Sequence, residues 1–213
     1  MKTFHISMRS ASLAALALLI SNCGTFKKED PKPIDMSTLE SVREIGGGVA
    51  GPWTPLDGGV TNMVPEGVEI AEGQVRDGSG TSIGLLKGFS ARDIAMEANV
   101  NYAGNGAPAL IFRVQEKDGE IHAMYAATLF ENGVNVWRFS EGNWMLLMTD
   151  AKHIVPRTTH TLRVEAKGAN IQVYADGEPA SLVRDDGLME GGRAGIRGVE
   201  GPCKFAGLRV HKR

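Results

Sequence analysis

The chain has 2 cysteines in 213 residues, Cys23 and Cys203, so neither a disulfide framework nor a cysteine-based metal site is available to it. It also lacks an excess of either charge. The 23 Lys and Arg residues stand against 25 Asp and Glu and are scattered, so nucleic acid is not an expected partner. No two of the 5 His residues are spaced like metal ligands, and no metal or cofactor is expected. The apolar run Ala11 to Ile20 (ASLAALALLI) is ten residues long, against the roughly 20 needed to span a bilayer core. No later segment is long and apolar enough to span. No convincing amphipathic helix of ten residues or more appears after Gly46.

What is abundant is glycine, at 27 residues, which implies many tight turns. From Trp53 onward the hydrophobic period is two. Runs rich in Val, Ile, Tyr, Phe and Leu are separated by turn residues. Asp93 to Tyr102 reads as a long strand. Ala109 to Gln115, Ile121 to Phe130, Val134 to Phe139 and Trp144 to Met148 read as an antiparallel meander. The turns at Asp118-Gly119, Asn132-Gly133 and Gly142-Asn143 join them. His160 to Ala166 and Ile171 to Ala175 form a further hairpin, and Arg193 to Val199 and Phe205 to Val210 close the domain. Short strands at regular spacing predict a sandwich or barrel.

The N-terminal segment has a different character. Lys2 and Arg9 precede the apolar run, as in a secretory signal. Ile20-Ser21-Asn22-Cys23 resembles the lipobox of bacterial lipoproteins. That resemblance implies a signal peptide over 1–22, acylation of Cys23, and a membrane partner reached through its lipid. Cell-envelope localisation, at the outer membrane, follows from the absence of Asp after the cysteine. Residues 23–51, with the charged KKEDPKP stretch, are expected to form a tether. Within them, Ser37-Thr38-Leu39-Glu40 can open a short helix with Leu39, Val42 and Ile45 on one face, or the whole segment is linker. Residues 52–213 form the folded domain.

Four pieces of that domain occur in a familiar order: ALIFRVQ (Ala109 to Gln115), HAMYAATL (His122 to Leu129), HTLRVEAKGANIQVYADGEP (His160 to Pro179), and GGRAGIRG (Gly191 to Gly198) followed by KFAGLRV. This pattern resembles the concanavalin A-like lectin/glucanase sandwich, and within it the laminin-G-like and 3-keto-disaccharide hydrolase-type domains. The resemblance implies an all-β fold, a two-sheet antiparallel jelly-roll sandwich. The chain departs from the hydrolase-type pattern at Gly104 to Pro108 and at Arg157 to His160, and the Glu pair within one strand that marks the glucanases of this fold is absent. A carbohydrate-binding, lectin-like role with a glycan partner is therefore expected before a glycoside hydrolase of the 3-keto-disaccharide type, with a structural or protein-interaction role as the third reading.

A sugar offers C–H faces to aromatic rings and hydroxyl edges to planar polar groups. In Ala109 to Gln115, alternation puts Leu110, Phe112 and Val114 on the core face and Ile111, Arg113 and Gln115 on the other. Arg113, Gln115, Tyr125, Trp137, Arg138 and Trp144 are thus the candidate ligand-binding residues. For the two tryptophans the competing reading is cross-strand packing, and for Arg113 it is a structural ion pair. Glu116, Asp118 and Glu120 surround a predicted turn, where solvated charge is expected, and no catalytic residue is assigned. Asp185 and Asp186 read as a polar turn before they read as a calcium site.

Overall fold

A computed structural model of the chain describes residues 31–47, 51–70, 72, 74–151 and 154–213. The expected signal peptide and the lipidation position Cys23 lie outside the described residues. Pro31–Arg213 forms one compact unit. Its strands are β1 (Glu40–Glu44), β2 (Thr54–Leu56), β3 (Gly59–Thr61), β4 (Ser82–Leu85), β5 (Ile94–Tyr102), β6 (Ala109–Lys117), β7 (Glu120–Phe130), β8 (Gly133–Ser140), β9 (Asn143–Asp150), β10 (His160–Lys167), β11 (Asn170–Ala175), β12 (Glu178–Arg184), β13 (Arg193–Gly198) and β14 (Cys203–Lys212).

The turns decide which strands become neighbours. At Asp118-Gly119 and Asp176-Gly177 both central residues have positive φ, the backbone that a tight two-residue hairpin needs and that Asp-Gly supplies. The meander β6-β7-β8-β9 and the hairpins β10-β11-β12 follow directly. The full sheets have orders β1-β4-β13-β6-β7-β8-β9 and β12-β11-β10-β5-β14-β3-β2. In each sheet a late strand is inserted between early ones. β13 lies between β4 and β6, and β14 lies between β5 and β3, which makes the sandwich a jelly roll.

Period-two burial produces the core. Met96, Val100, Phe112, Tyr125, Val136, Val164, Val173 and Phe205 are buried together between the sheets. Cys203 belongs to the same core as a free thiol, and burial pushes its pKa up to about 12, so it acts as a small apolar side chain.

A second apolar cluster lies on the other face of the first sheet, with Ile83, Leu85, Ile111, Val114, Ile121, Met124, Ala126 and Phe139. It is buried because of β1. This strand pairs antiparallel with β4 through Glu40 to Val42, then parallel with β7 through Arg43 and Glu44, and so joins two strands that are not neighbours. Val42 and Ile45 pack on the cluster from this strap. The short helix expected at this place is therefore a strand. Asp35 caps only the 3-10 turn Met36–Thr38, and residues 40, 42 and 44 alternate inward against 41 and 43. The three-residue spacing of Val42 and Ile45 suits a helix face, but the open edge of β4 takes Glu40–Glu44 as a strand, and Ile45 reaches the same cluster from the turn just after it. Likewise the tether expected over 23–51 does not reach Gly51, since 31–47 belong to the compact unit.

Candidate functional site

Beyond the strap, the outer face of the first sheet remains open as a groove of about 600 Å³. Strand parity sets its lining. Ala126 pairs with Trp137 and Thr128 with Asn135, and Ala126 points into the outer cluster, so these partners point the same way. Phe139 pairs with Trp144 on that face. Thr128, Asn135, Trp137, Trp144, Arg197 and Glu200 supply the chemistry of the groove.

The aromatic rings form a fixed platform. Trp137 and Trp144 meet edge to face, with centroids 6.3 Å apart at 90°, and Phe139 packs against Trp144 at 4.9 Å. Arg197 lies with its Cζ 4.6 Å over the Trp144 ring. Its guanidinium donates twice to Glu44 of the strap, Nη2 to Oε1 at 2.9 Å and Nε to Oε2 at 3.2 Å. A two-point bond to a nearly buried carboxylate fixes the plane of the guanidinium, leaving its free N–H edge oriented. The side-chain amide oxygen of Asn135 is buried and has no hydrogen-bond partner among the described residues. Glu200 has φ +62, an uncommon backbone for a non-glycine residue that turns the chain at the rim.

The remaining predicted residues are on the opposite side of the sheet. Arg113 is fully buried and faces the second sheet, not the outer face expected from alternation. The cause is a β-bulge: between the pairs Phe112–Tyr125 and Gln115–Ala123, Arg113 and Val114 together oppose one residue of β7, and Arg113 takes φ +51. Leu110 and Phe112 stay in the central core as expected, whereas Val114 moves to the outer cluster. Arg113 donates to the carbonyls of Arg92 (2.8 Å), Leu188 (3.0 Å) and Gly168 (2.6 Å), and lies 3.7 Å from Asp93. It pins three loops and has no access to ligand.

Tyr125 and Arg138 share this inner side. The Tyr125 hydroxyl donates to Asp185 at 2.5 Å and accepts from the Leu188 N–H, and Arg138 Nη1 bonds both Asp185 oxygens at 2.9 Å. Burial pushes the Tyr125 phenol up to about 12, helped by its bond to Asp185. Burial alone would raise Asp185, but bonds from Tyr125, the Gly187 N–H and Arg138 outweigh it and hold the carboxyl below its ordinary value. Asp185 is thus committed to this network. Gln115 is half-buried, pairs with Ala123 and is not part of the lining of the tryptophan groove. Of the six predicted residues, the structure brings Trp137 and Trp144 together at the groove and places Arg113, Tyr125 and Arg138 beneath the sheet. Arg197 and Asn135 are legible only as the polar partners alternating with Ile196 and with Val134 and Val136.

Two spacings that resemble hydrolase signatures are disarmed by the fold. Glu116-Lys117-Asp118-Gly119-Glu120 straddles a hairpin, with Glu116 ending β6 and Glu120 opening β7, so the acids do not share one strand face. Glu116 pairs with Arg193 at 3.1 Å and Glu120 with Arg43 at 2.6 Å. Gly80-Thr81-Ser82-Ile83-Gly84 has the spacing of a nucleophile elbow, but Ser82 is buried and opens strand β4 instead of a strand-to-helix turn. Among the described residues no group of three or more His, Cys, Asp or Glu could hold a metal ion.

No protein-family model matches the chain, and no curated protein matches its sequence. Solved structures do resemble it. The carbohydrate-binding module CBM66 from Bacillus subtilis is 22% identical with a TM-score of 0.63, over 77% of this chain and 93% of that one. A Bacillus subtilis protein of unknown function with a galectin-like fold is 13% identical with a TM-score of 0.60, over 85% and 93%. The β-glucanase of Bacillus licheniformis is 10% identical with a TM-score of 0.59, over 86% and 96%. At these identities the likeness is one of fold, and it agrees with the strand order: the domain is a two-sheet antiparallel jelly-roll sandwich of concanavalin A-like type.

Proposed function

We propose that the domain is a lectin-like carbohydrate-binding module whose glycan lies in the groove over Trp137 and Trp144. The observation that carries this reading is a concave, open surface combining two immobilised indoles with a guanidinium fixed by Glu44. The two fixed rings offer apolar area to sugar C–H faces at little entropy cost, while Arg197, Asn135 and Thr128 supply polar groups for the hydroxyls. The fold likeness to a carbohydrate-binding module supports the same reading. Hydrolysis by the two-carboxylate route needs a pair of acids across the sugar. The lining holds one acid, Glu200, and the neighbouring Glu44 is occupied by Arg197. This favours binding over a hydrolase of the 3-keto-disaccharide type.

A glycan array probed with the full chain, followed by titration of the best hit, tests the reading. Trp137→Ala and Trp144→Ala should each weaken binding about tenfold or more, equivalent to about 1.4 kcal/mol. Tyr125→Phe, altered on the other side of the sheet, should bind like the parent. Equal affinity in both tryptophan variants would place the site elsewhere, and cleavage of a 3-keto-disaccharide by the parent would overturn the ranking.

We further propose that the module is held at the cell envelope by lipid on Cys23. The apolar run ending in Ile20-Ser21-Asn22-Cys23 supports this. Cells fed a fatty-acid analogue should label the parent and not Cys23→Ser. Equal labelling of both, or of neither, counts against the anchor.

A further inference from the structure

We propose a second binding site on the outer face of the second sheet, opposite the groove, that takes a carboxylate-bearing sugar. Register builds it. Leu56, Gly59, Ala206, Asn99 and Thr161 lie opposite one another across β2, β3, β14, β5 and β10, and Thr61, Lys204 and Asn101 form the next row. Val60 and Phe205, between the rows, point into the core, so both rows point outward. The middle of the first row has almost no side chain. At Gly59 a Cβ would lie 2.1 Å from the Phe205 carbonyl oxygen, so no larger residue fits without displacing backbone. The result is a depression of about 470 Å³ with a low floor at Gly59 and Ala206 and an exposed apolar wall at Leu56.

Several polar groups around this floor keep donors without a partner among the described residues. Asn99 uses its amide oxygen to accept from Thr161, which leaves its N–H groups free. The described structure contains no hydrogen bond from the Asn101 side chain and no ion pair of Lys204 or Arg157. Arg157 has φ +67, and its N–H donates to the Tyr102 carbonyl at 2.8 Å, which seats it beside Asn101. Lys204 is opposite Asn101 on the other side. The two cations thus flank Asn101 at about two strand spacings, roughly 10 Å, a distance their long side chains can close. Against them the lining holds one acid, Asp57, which leaves an excess of positive charge. This arrangement suits a pyranose lying on the Gly59–Ala206 floor, with its hydroxyls on the two amides and its carboxylate between Lys204 and Arg157. The tryptophan groove, by contrast, has its guanidinium already neutralised by Glu44 and favours a neutral sugar.

The test is a nuclear magnetic resonance titration of the full chain with glucuronate, glucose and inorganic phosphate. Glucuronate should shift the Asn99, Asn101 and Lys204 signals saturably, and glucose should not. Lys204→Gln and Arg157→Gln should each raise the dissociation constant by about fivefold, the upper range for exposed charge pairs. Trp137→Ala should leave it unchanged, which separates this site from the groove. Shifts confined to the tryptophan indoles, or unchanged affinity in both charge variants, would overturn the proposal. So would saturation by phosphate at lower concentration than glucuronate, which would reveal a bare anion site with no use for the sugar ring.

Discussion

Arg113→Ala is expected to destabilise the domain by about 3–5 kcal/mol, the cost typical of breaking a buried charged contact. The side chain is fully buried, and its Nε, Nη1 and Nη2 each donate to a carbonyl on a separate loop. Removing it strands the Leu188 carbonyl in the interior and loosens those of Arg92 and Gly168, at about 1–3 kcal/mol for each acceptor that water cannot reach. It also removes the cation over the Tyr125 ring, at 5.8 Å, beside the Phe112 stack. Most domains have only about 5–15 kcal/mol in total, so this single change should move the urea midpoint by a large fraction of its value. Arg113→Met, which keeps most of the volume, should recover little, because the unpaired carbonyls dominate. Arg113→Lys should recover part, since one ammonium cannot reproduce a planar fork. A midpoint shift worth less than about 1 kcal/mol in Arg113→Ala would mean the three loops are held by other contacts.

A chain beginning at Trp53 is expected not to fold cooperatively, whereas one beginning at Pro31 should melt in a single transition. The shorter chain lacks Met36 and Leu39 of the central core and the whole of β1. Losing β1 uncovers the second cluster and leaves β4 with an open edge over Ile83 and Leu85. It also leaves Arg197, nearly buried against Trp144, without its carboxylate. Exposed apolar surface of this kind is reported by a hydrophobic dye, and loss of fixed packing by near-ultraviolet circular dichroism. If the Trp53 chain melts within a few degrees of the Pro31 chain, the strap contributes little and the second cluster is stable without it.

These two experiments fall where sequence and structure part. The β architecture from β5 to β11 was legible because its runs are long and rich in β-branched and aromatic residues, and the tight hairpin turns between them have a chemical mark. Asp118-Gly119 and Asp176-Gly177 adopt the positive φ their residues predict. The strands without a sequence signature are short or lack contrast. β2 and β3 have three residues each, β4 is buried throughout, and β12 opens with Glu178-Pro179. At β1 the spacing of Val42 and Ile45 points to a helix, and only pairing with the free edge of β4 makes the segment a strand.

The candidate site divides in the same way. Trp137 and Trp144 were identifiable as aromatics on one side of a hairpin, and the register keeps them together at the groove. Arg113, Tyr125 and Arg138 were expected at the surface because residue types suited to sugars are also suited to pinning loops. Alternation is a local rule that holds from residue to residue. One left-handed residue at Arg113 inserts an extra position opposite β7, and the parity argument carries the error forward. By itself the sequence determined the element type and the hairpin pairings, since both depend on neighbours within a few residues. Only the tertiary structure decided which side of the sheet each polar residue serves and which strand closes the second cluster. The insertion of β13 beside β4, the bulge against Gly192, and the bond from Arg197 to Glu44 all join residues far apart in the chain, where no local pattern operates.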